Sequence, residues 1–181
     1  MLQIEHSFYA DCTNQIMKIG LLSDTHSYLD PKIFDYFSEC DEIWHAGDIG
    51  DISICDQLAA FKPLIAVHGN IDDQLIRSTY PEDQVFERED FKIWITHIGG
   101  YPPKYTPKIK VRLSELQPDL FVCGHSHILK VISDPNFNNL LHLNPGACGK
   151  HGFHQVKTLL RFDLKEKKIS NMQVIELGKR A

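Results

Sequence analysis

The sequence predicts a single α/β domain in which two sheets pack together and helices lie outside them. Three observations lead there. Short apolar runs alternate with helical periods over the first two thirds of the chain, and the last third carries β patterns alone. The length, 181 residues, is that of one domain with enough chain to bury a core. Residues 18–23 (KIGLLS) form a continuous apolar run, as expected of a strand covered on both faces. Asp30 followed by Pro31 reads as an N-cap and first turn, with Ile33, Phe34 and Phe37 on the apolar side of the helix. Residues 42–46 are the second strand, residues 52–61 a helix that stops before Pro63, and residues 64–68 the third strand. After a polar stretch, residues 84–89 and 91–96 pair around an acidic turn. Thr106 caps a further helix with Pro107 inside it. Ile109, Leu113 and Leu116 share one face of this helix, and Gln117 before Pro118 ends it. Residues 120–123 are another buried strand. From Lys130 onward only β patterns follow, closing in a hairpin that turns at residues 165–168.

The bulk numbers exclude several classes. A chain 43% hydrophobic and 24% charged is an ordinary globular composition, and a net charge of −5 gives no general affinity for nucleic acid. No apolar run approaches the roughly 20 residues that cross a bilayer. The first sixteen residues, MLQIEHSFYADCTNQI, have neither a basic start nor an apolar h-region, so they do not read as a signal peptide. They show no clear period either. The expectation is a loosely ordered extension over residues 1–16 ahead of one domain over residues 17–181. Five cysteines without a C-x-x-C pair or an export signal point to reduced thiols and a cytoplasmic setting.

The chemistry lies at the strand ends. The first strand ends in Asp24-Thr25-His26, the second in Gly47-Asp48 and the third in Gly69-Asn70-Ile71-Asp72. The KIWIT strand ends in His97 and the LFVC strand in Gly124-His125-Ser126-His127. In open α/β sheets ligands gather outside the carboxyl ends of strands, so these five groups can converge on one crevice. The donors are Asp24, His26, Asp48, Asn70, His97, His125 and His127. Seven side chains are too many for one catalytic ion with an open position and suit two ions bridged by a carboxylate. Imidazole and carboxylate without thiolate favour divalent Mn first, then Ni, Co, Fe or Zn, over Ca or a structural zinc.

D-x-H, then GD, GN, H and G-H-x-H, in that order, resemble the calcineurin-type metallophosphoesterase superfamily. Singly these motifs are weak; as an ordered set of five they are specific. The compact length, and GNID where the superfamily usually has Gly-Asn-His-Glu, are similar to its small prokaryotic phosphodiesterase branch, which shares its fold with a eukaryotic retromer scaffold subunit. The resemblance runs from Met17 to the last hairpin. It implies a four-layer α/β fold, a β-sandwich of two mixed sheets flanked by helices with a dinuclear site at the strand C-terminal ends. It implies that Asp24, His26 and His127 hold one metal, that Asn70, His97 and His125 hold the other, and that Asp48 bridges. The implied reaction is in-line hydrolysis of a phosphate ester by a metal-bridging hydroxide, with no protein nucleophile.

One departure stands out. Where larger members carry a histidine that assists the leaving group, this chain has Ile71, which cannot move a proton. Losing a general acid costs about 10²–10⁴-fold, most for poor leaving groups, so activated aryl diesters are the expected substrates. Asp72 either orients a ligand or caps the following helical turn. His45 and His68 precede the motifs inside strands and read as packing or as support around the ligands. Asn144, in LNPGACGKHG, reads as a structural loop residue, and Cys123 as packing. Lys104, Lys108, Lys110 and Arg112 read as a solvated face, with phosphate steering as the alternative. His151 and His154 either reach the rim or are loop residues. The expected partner is a small phosphate ester, with no membrane, nucleic acid disfavoured and a homo-oligomer left open. The competing function is a catalytically weak protein-interaction scaffold of the same fold, and a nuclease comes third.

Overall fold

A computed structural model describes residues 16–180. The N-terminal extension expected over residues 1–16 lies outside them apart from Ile16, as does Cys12. The elements run β1 (Met17–Leu22), α1 (Lys32–Tyr36), β2 (Glu42–His45), α2 (Ile52–Phe61), β3 (Leu64–Ala66), α3 (Gln74–Thr79), β4 (Asp83–Arg88) and β5 (Phe91–Thr96). They continue with α4 (Pro107–Leu116), β6 (Leu120–Val122), β7 (Lys130–Asp134), β8 (Leu140–Asn144), β9 (Val156–Lys165) and β10 (Lys168–Lys179).

Two five-stranded sheets result, ordered β10-β9-β1-β2-β3 and β4-β5-β6-β8-β7. Each is mixed. β1, β2 and β3 are parallel with β9 and β10 antiparallel beside them, and β5, β6 and β8 are parallel with β4 and β7 antiparallel at the edges. Strand alternation sends Ile19, Leu21 and Trp44 of one sheet against Ile93, Ile95 and Val122 of the other, forming the central core. The opposite faces are also covered, which is why β1 reads as an unbroken apolar run. Leu22 and Ile43 meet Ile33, Leu58 and Ile76 from α1, α2 and α3. Trp94 and Phe121 meet Ile109 and Leu113 from α4. The layers are therefore helix, sheet, sheet, helix, as the resemblance implied. At the end of the sandwich where β2 begins, Glu42 takes two hydrogen bonds from Arg88 (2.9 and 3.0 Å) and ties the sheets together.

Four local expectations need correction. Asp30 is not the N-cap of α1, a position that Pro31 takes. The Asp30 carboxylate takes one hydrogen bond from the Lys32 amide (3.2 Å) but mainly pairs with buried Lys157 (2.7 Å), and α1 is five residues long with Phe37 just beyond it. The polar stretch before β4 contains α3, capped by Asp73, whose side chain accepts from the Ile76 amide. The third strand ends at Ala66, short of His68. A 3-10 turn, Pro135–Phe137, interrupts the all-β C-terminal third.

Candidate metal centre

Parallel pairing sets the carboxyl ends of β1, β2 and β3 side by side, and β5 and β6 bring theirs to the same edge from the other sheet. Backbone hydrogen bonds hold the loops together there: the Asp24 amide to the Gly47 carbonyl (3.0 Å) and the Gly124 amide to the His97 carbonyl (3.0 Å). Between the sheets, His97 Nδ1 donates to the Ala46 carbonyl (2.8 Å), and the His125 amide donates to Asp24 Oδ2 (3.2 Å).

Five of the seven expected donors, Asp24, His26, Asp48, His125 and His127, have left-handed backbone with φ between 47° and 65°. A residue with a Cβ adopts this region reluctantly, at a cost of about 1–3 kcal/mol, and it persists where surrounding structure enforces it. Here it turns each chain sharply off its strand so that the side chain points back into the crevice. Close approach adds a second constraint. A Cβ on Gly69 would lie 2.1 Å from Asp48 Oδ1 and 2.3 Å from the Asp48 amide nitrogen, so the third loop can lie over the second only without a side chain there.

Six of the seven donors fall into two clusters. Asp24, His26 and His127 present ligand atoms within 4.8 Å of one another, and so do Asp48, His97 and His125. Asp48 faces both: Oδ1 is 3.1 Å from His97 Nε2 and Oδ2 is 3.7 Å from His26 Nε2. The seventh, Asn70, is exposed and lines the cleft that His97 also lines. The Ile71 side chain is 45% exposed, and its amide donates to Asp48 Oδ1 (3.1 Å). That position serves the site through its backbone.

The ring tautomers follow from the partners. His97 must carry its proton on Nδ1 to meet the Ala46 carbonyl, which leaves the Nε2 lone pair facing Asp48. His154 Nε2 donates to the Gly149 carbonyl (3.0 Å), so its Nδ1 accepts from His127 Nδ1 (3.2 Å). That leaves the His127 Nε2 lone pair 3.1 Å from Asp24 Oδ1. Two lone pairs therefore oppose two carboxylate oxygens, and Asp24 Oδ1, His26 Nε2 and His97 Nε2 are buried without a hydrogen-bond partner. Such contacts are repulsive unless a cation joins them, either a proton or a metal ion. The donors fit divalent metal ions in number, type and orientation.

Charge placement agrees. Burial raises the Asp48 pKa, but a proton on His97 Nε2, which would turn the 3.1 Å contact into a charged hydrogen bond, and the Ile71 amide outweigh it and bring the carboxyl down to about 2. Burial opposes protonation of His97, yet Asp48 and Asp24 hold its pKa above the ordinary value. At His26 burial wins over both carboxylates and lowers the pKa.

Buried Asp72 takes the Gly50 amide on Oδ1 (2.7 Å) and the Gly69 amide on Oδ2 (2.6 Å), tying the loops of Asp48 and Asn70 together rather than capping α3. His45 is fully buried. Its Nδ1 accepts from the Gly47 amide and its Nε2 meets the Thr25 hydroxyl, which in turn donates to the Ile49 carbonyl. Burial pushes the His45 pKa down to about 4, so it is a neutral brace and not a ligand. Asn144 donates to the Gly124 carbonyl (2.8 Å) and to Ser126 Oγ (3.2 Å), fixing the G-H-S-H turn. Burial pushes the Cys123 thiol up to about 12, so it packs and does not attack. His151 lies with its ring 6.0 Å from that of His26. The sequence reading missed the role of His154 behind His127 and that of Arg77, whose guanidinium donates to the carbonyls of Gly69, Asn70 and Asp72.

Known proteins resemble this chain in sequence and in fold. A probable metallophosphoesterase of Methanocaldococcus jannaschii is 36% identical over 138 residues, covering 72% of this chain and 68% of that one. A second protein of that organism, named a phosphodiesterase, is 27% identical over 150 residues, covering 73% of this chain and 84% of its own. Vps29 from Entamoeba histolytica, solved with Zn²⁺, superposes with a TM-score of 0.69 at 16% identity over 91% of this chain and all of that one, a likeness of fold. The sequence profile described as the calcineurin-like phosphoesterase superfamily domain matches residues 17–167. With that match over most of its length, the chain belongs to the calcineurin-like phosphoesterase superfamily, whose members use divalent metal ions.

Proposed function

We propose that the protein is a dinuclear metal-dependent phosphodiesterase. Asp24, His26 and His127 would hold one divalent ion, Asn70, His97 and His125 the other, and Asp48 both. The observation that carries this is Asp48, whose two oxygens face imidazole nitrogens of separate donor clusters at 3.1 and 3.7 Å. When bound, two such ions supply an activated water and Lewis acidity toward phosphoryl oxygens. The chain does the rest. His97 and His127 are locked in the tautomer that offers Nε2 by the Ala46 carbonyl and by His154. The Ile71 amide and Asp72 hold Asp48 and its loop in register. Cys123, beside the G-H-S-H turn, is buried with its thiol pushed up to about 12, so it is not poised as a nucleophile.

Manganese is the first expectation, with nickel, cobalt, iron or zinc behind it, because imidazole and carboxylate donors without thiolate suit these ions. Diester rather than monoester hydrolysis is supported by the phosphodiesterase relative and by isoleucine at position 71, which favours leaving groups that depart unprotonated. A cytoplasmic setting is supported by four buried free thiols, and the described residues contain no helix long and apolar enough to cross a membrane. The experiment is metal-stripped protein reconstituted with Mn, Ni, Co, Zn or Mg and assayed on aryl phosphodiesters and monoesters, beside Asp48→Ala. A scaffold with no catalytic role would turn over none of them with any metal.

A further inference from the structure

We propose that the cleft beside the second donor cluster is the subsite for one ester group of the substrate, and that this group is bulky, uncharged and largely aromatic. The inference rests on the phosphodiesterase reading above and deepens it. The cleft, about 980 Å³, has Asn70 and His97 in its wall, so whatever occupies it abuts the proposed metal site. A volume of this order accommodates an aryl or nucleoside-sized group and far exceeds the needs of a methyl ester.

The lining sets the chemistry. Ile98 (47% exposed) and Val111 (59% exposed) present large apolar side chains to the opening, with Pro107 beside them. These residues come from the loop after β5 and from α4, elements that meet at the cleft rather than scattering over the surface. Large apolar side chains gathered on the wall of a concave cleft suit an apolar ligand group there. The charged lining residues largely cancel: Lys108 pairs with Glu82 at 3.1 Å and Arg112 with Glu115 at 3.7 Å. The body of the cleft therefore offers little to a charged group. Two lining charges lie outside these pairs: Asp83, whose carboxylate accepts from Trp94 Nε1 (2.9 Å), and Arg77. Arg77 donates only to backbone carbonyls, makes no ion pair among the described residues, and grips the Asn70 carbonyl (3.0 Å). Its unpaired charge thus sits at the end where a phosphodiester's one negative charge would lie, while the ester group extends along the apolar wall. An aromatic group also answers the side chain at position 71, because an aryl oxide leaves without a proton donor.

The test uses the manganese-reconstituted protein and two non-hydrolysable monoanions, dimethylphosphinate and methyl(1-naphthyl)phosphinate, with affinities measured by calorimetry. Burying roughly 100 Å² of aromatic surface is worth about tenfold or more after ordering costs, so the naphthyl compound should bind at least that much more tightly. Val111→Trp, and separately Glu115→Trp one turn along α4, place bulk in the cleft and should erase most of that gain. Both positions are exposed, so folding is not at risk. Turnover of bis(4-nitrophenyl) phosphate by the same preparation reports on the phosphodiesterase reading by itself. No naphthyl gain, or a gain that survives both variants, would overturn the subsite. A change of oligomeric state in the variants without a change in phosphinate affinity would also overturn it, making the cleft an interface between copies.

Discussion

Replacing Asp72 with asparagine should loosen the proposed metal centre without touching a ligand. The buried carboxylate takes the Gly50 amide at 2.7 Å and the Gly69 amide at 2.6 Å, one on each oxygen. In Asp72→Asn one oxygen becomes an amide group that faces a donor with a donor. One charge-assisted bond is lost, the other weakens, and a buried N–H is left unpaired, for a cost of about 2–3 kcal/mol. In a chain of this size that is a fall in Tm of about 4–12 °C. Asp72→Ala removes both acceptors and should cost more. Thermal unfolding in EDTA isolates this term from metal binding, since a bound ion would add its own stabilisation. Calorimetric manganese titration should show affinity about 10–100-fold weaker, because the two tied loops carry Asp48 and Asn70. An asparagine variant within about 0.5 kcal/mol of the parent, with unchanged manganese affinity, would refute the idea that Asp72 is the clamp between these loops.

Three further outcomes are expected. Rates on a series of phosphodiesters should fall steeply with leaving-group pKa, and Ile71→His should flatten that dependence by restoring a proton donor; a flat profile in the parent with chemistry rate-limiting would contradict this. His154→Ala should weaken manganese binding about tenfold by freeing the His127 ring, yet leave unfolding in EDTA within about 1 kcal/mol, since His154 is only partly buried; equal affinities would remove it from the site. His45, fully buried with its pKa pushed down to about 4, resists protonation that the unfolded chain accepts near the ordinary value of 6.5. A base whose folded pKa is lowered supports the fold above 6.5 and loses that support as pH falls toward 4. The stability advantage of the parent over His45→Gln should therefore shrink by about 2 kcal/mol between pH 7.5 and 5, measured by urea unfolding, and a pH-independent difference would contradict it.

The donor set is legible because each donor follows a short apolar strand within one to five residues, where a polar group has no packing purpose. Asp24 after GLLS and His125 after LFVCG are local signals. What was not legible depends on partners distant in sequence. Asp30 looked like a helix cap because nothing local reveals Lys157, 127 positions away. α3 reads from sequence only as a helical turn after Asp72, because Ile76 alone of its six residues is buried and it has no apolar period. Asp72 and His45 were noticed, but their roles depend on which loops pack beside them. His154 was left undecided because its partner His127 lies 27 residues earlier on another loop. The cleft by α4 depends on how that helix rests on the second sheet, which no pattern within the helix encodes.

The central claim is that two divalent ions, joined through Asp48, are required for phosphodiester hydrolysis. The most direct measurement titrates manganese into metal-free protein and follows bound metal and hydrolysis of bis(4-nitrophenyl) phosphate together. The account predicts no activity in EDTA, activity rising until two ions are bound per chain, and a loss of at least about 10²-fold in Asp48→Ala. Full activity without metal, saturation at one ion per chain, or an Asp48→Ala variant as active as the parent would contradict it.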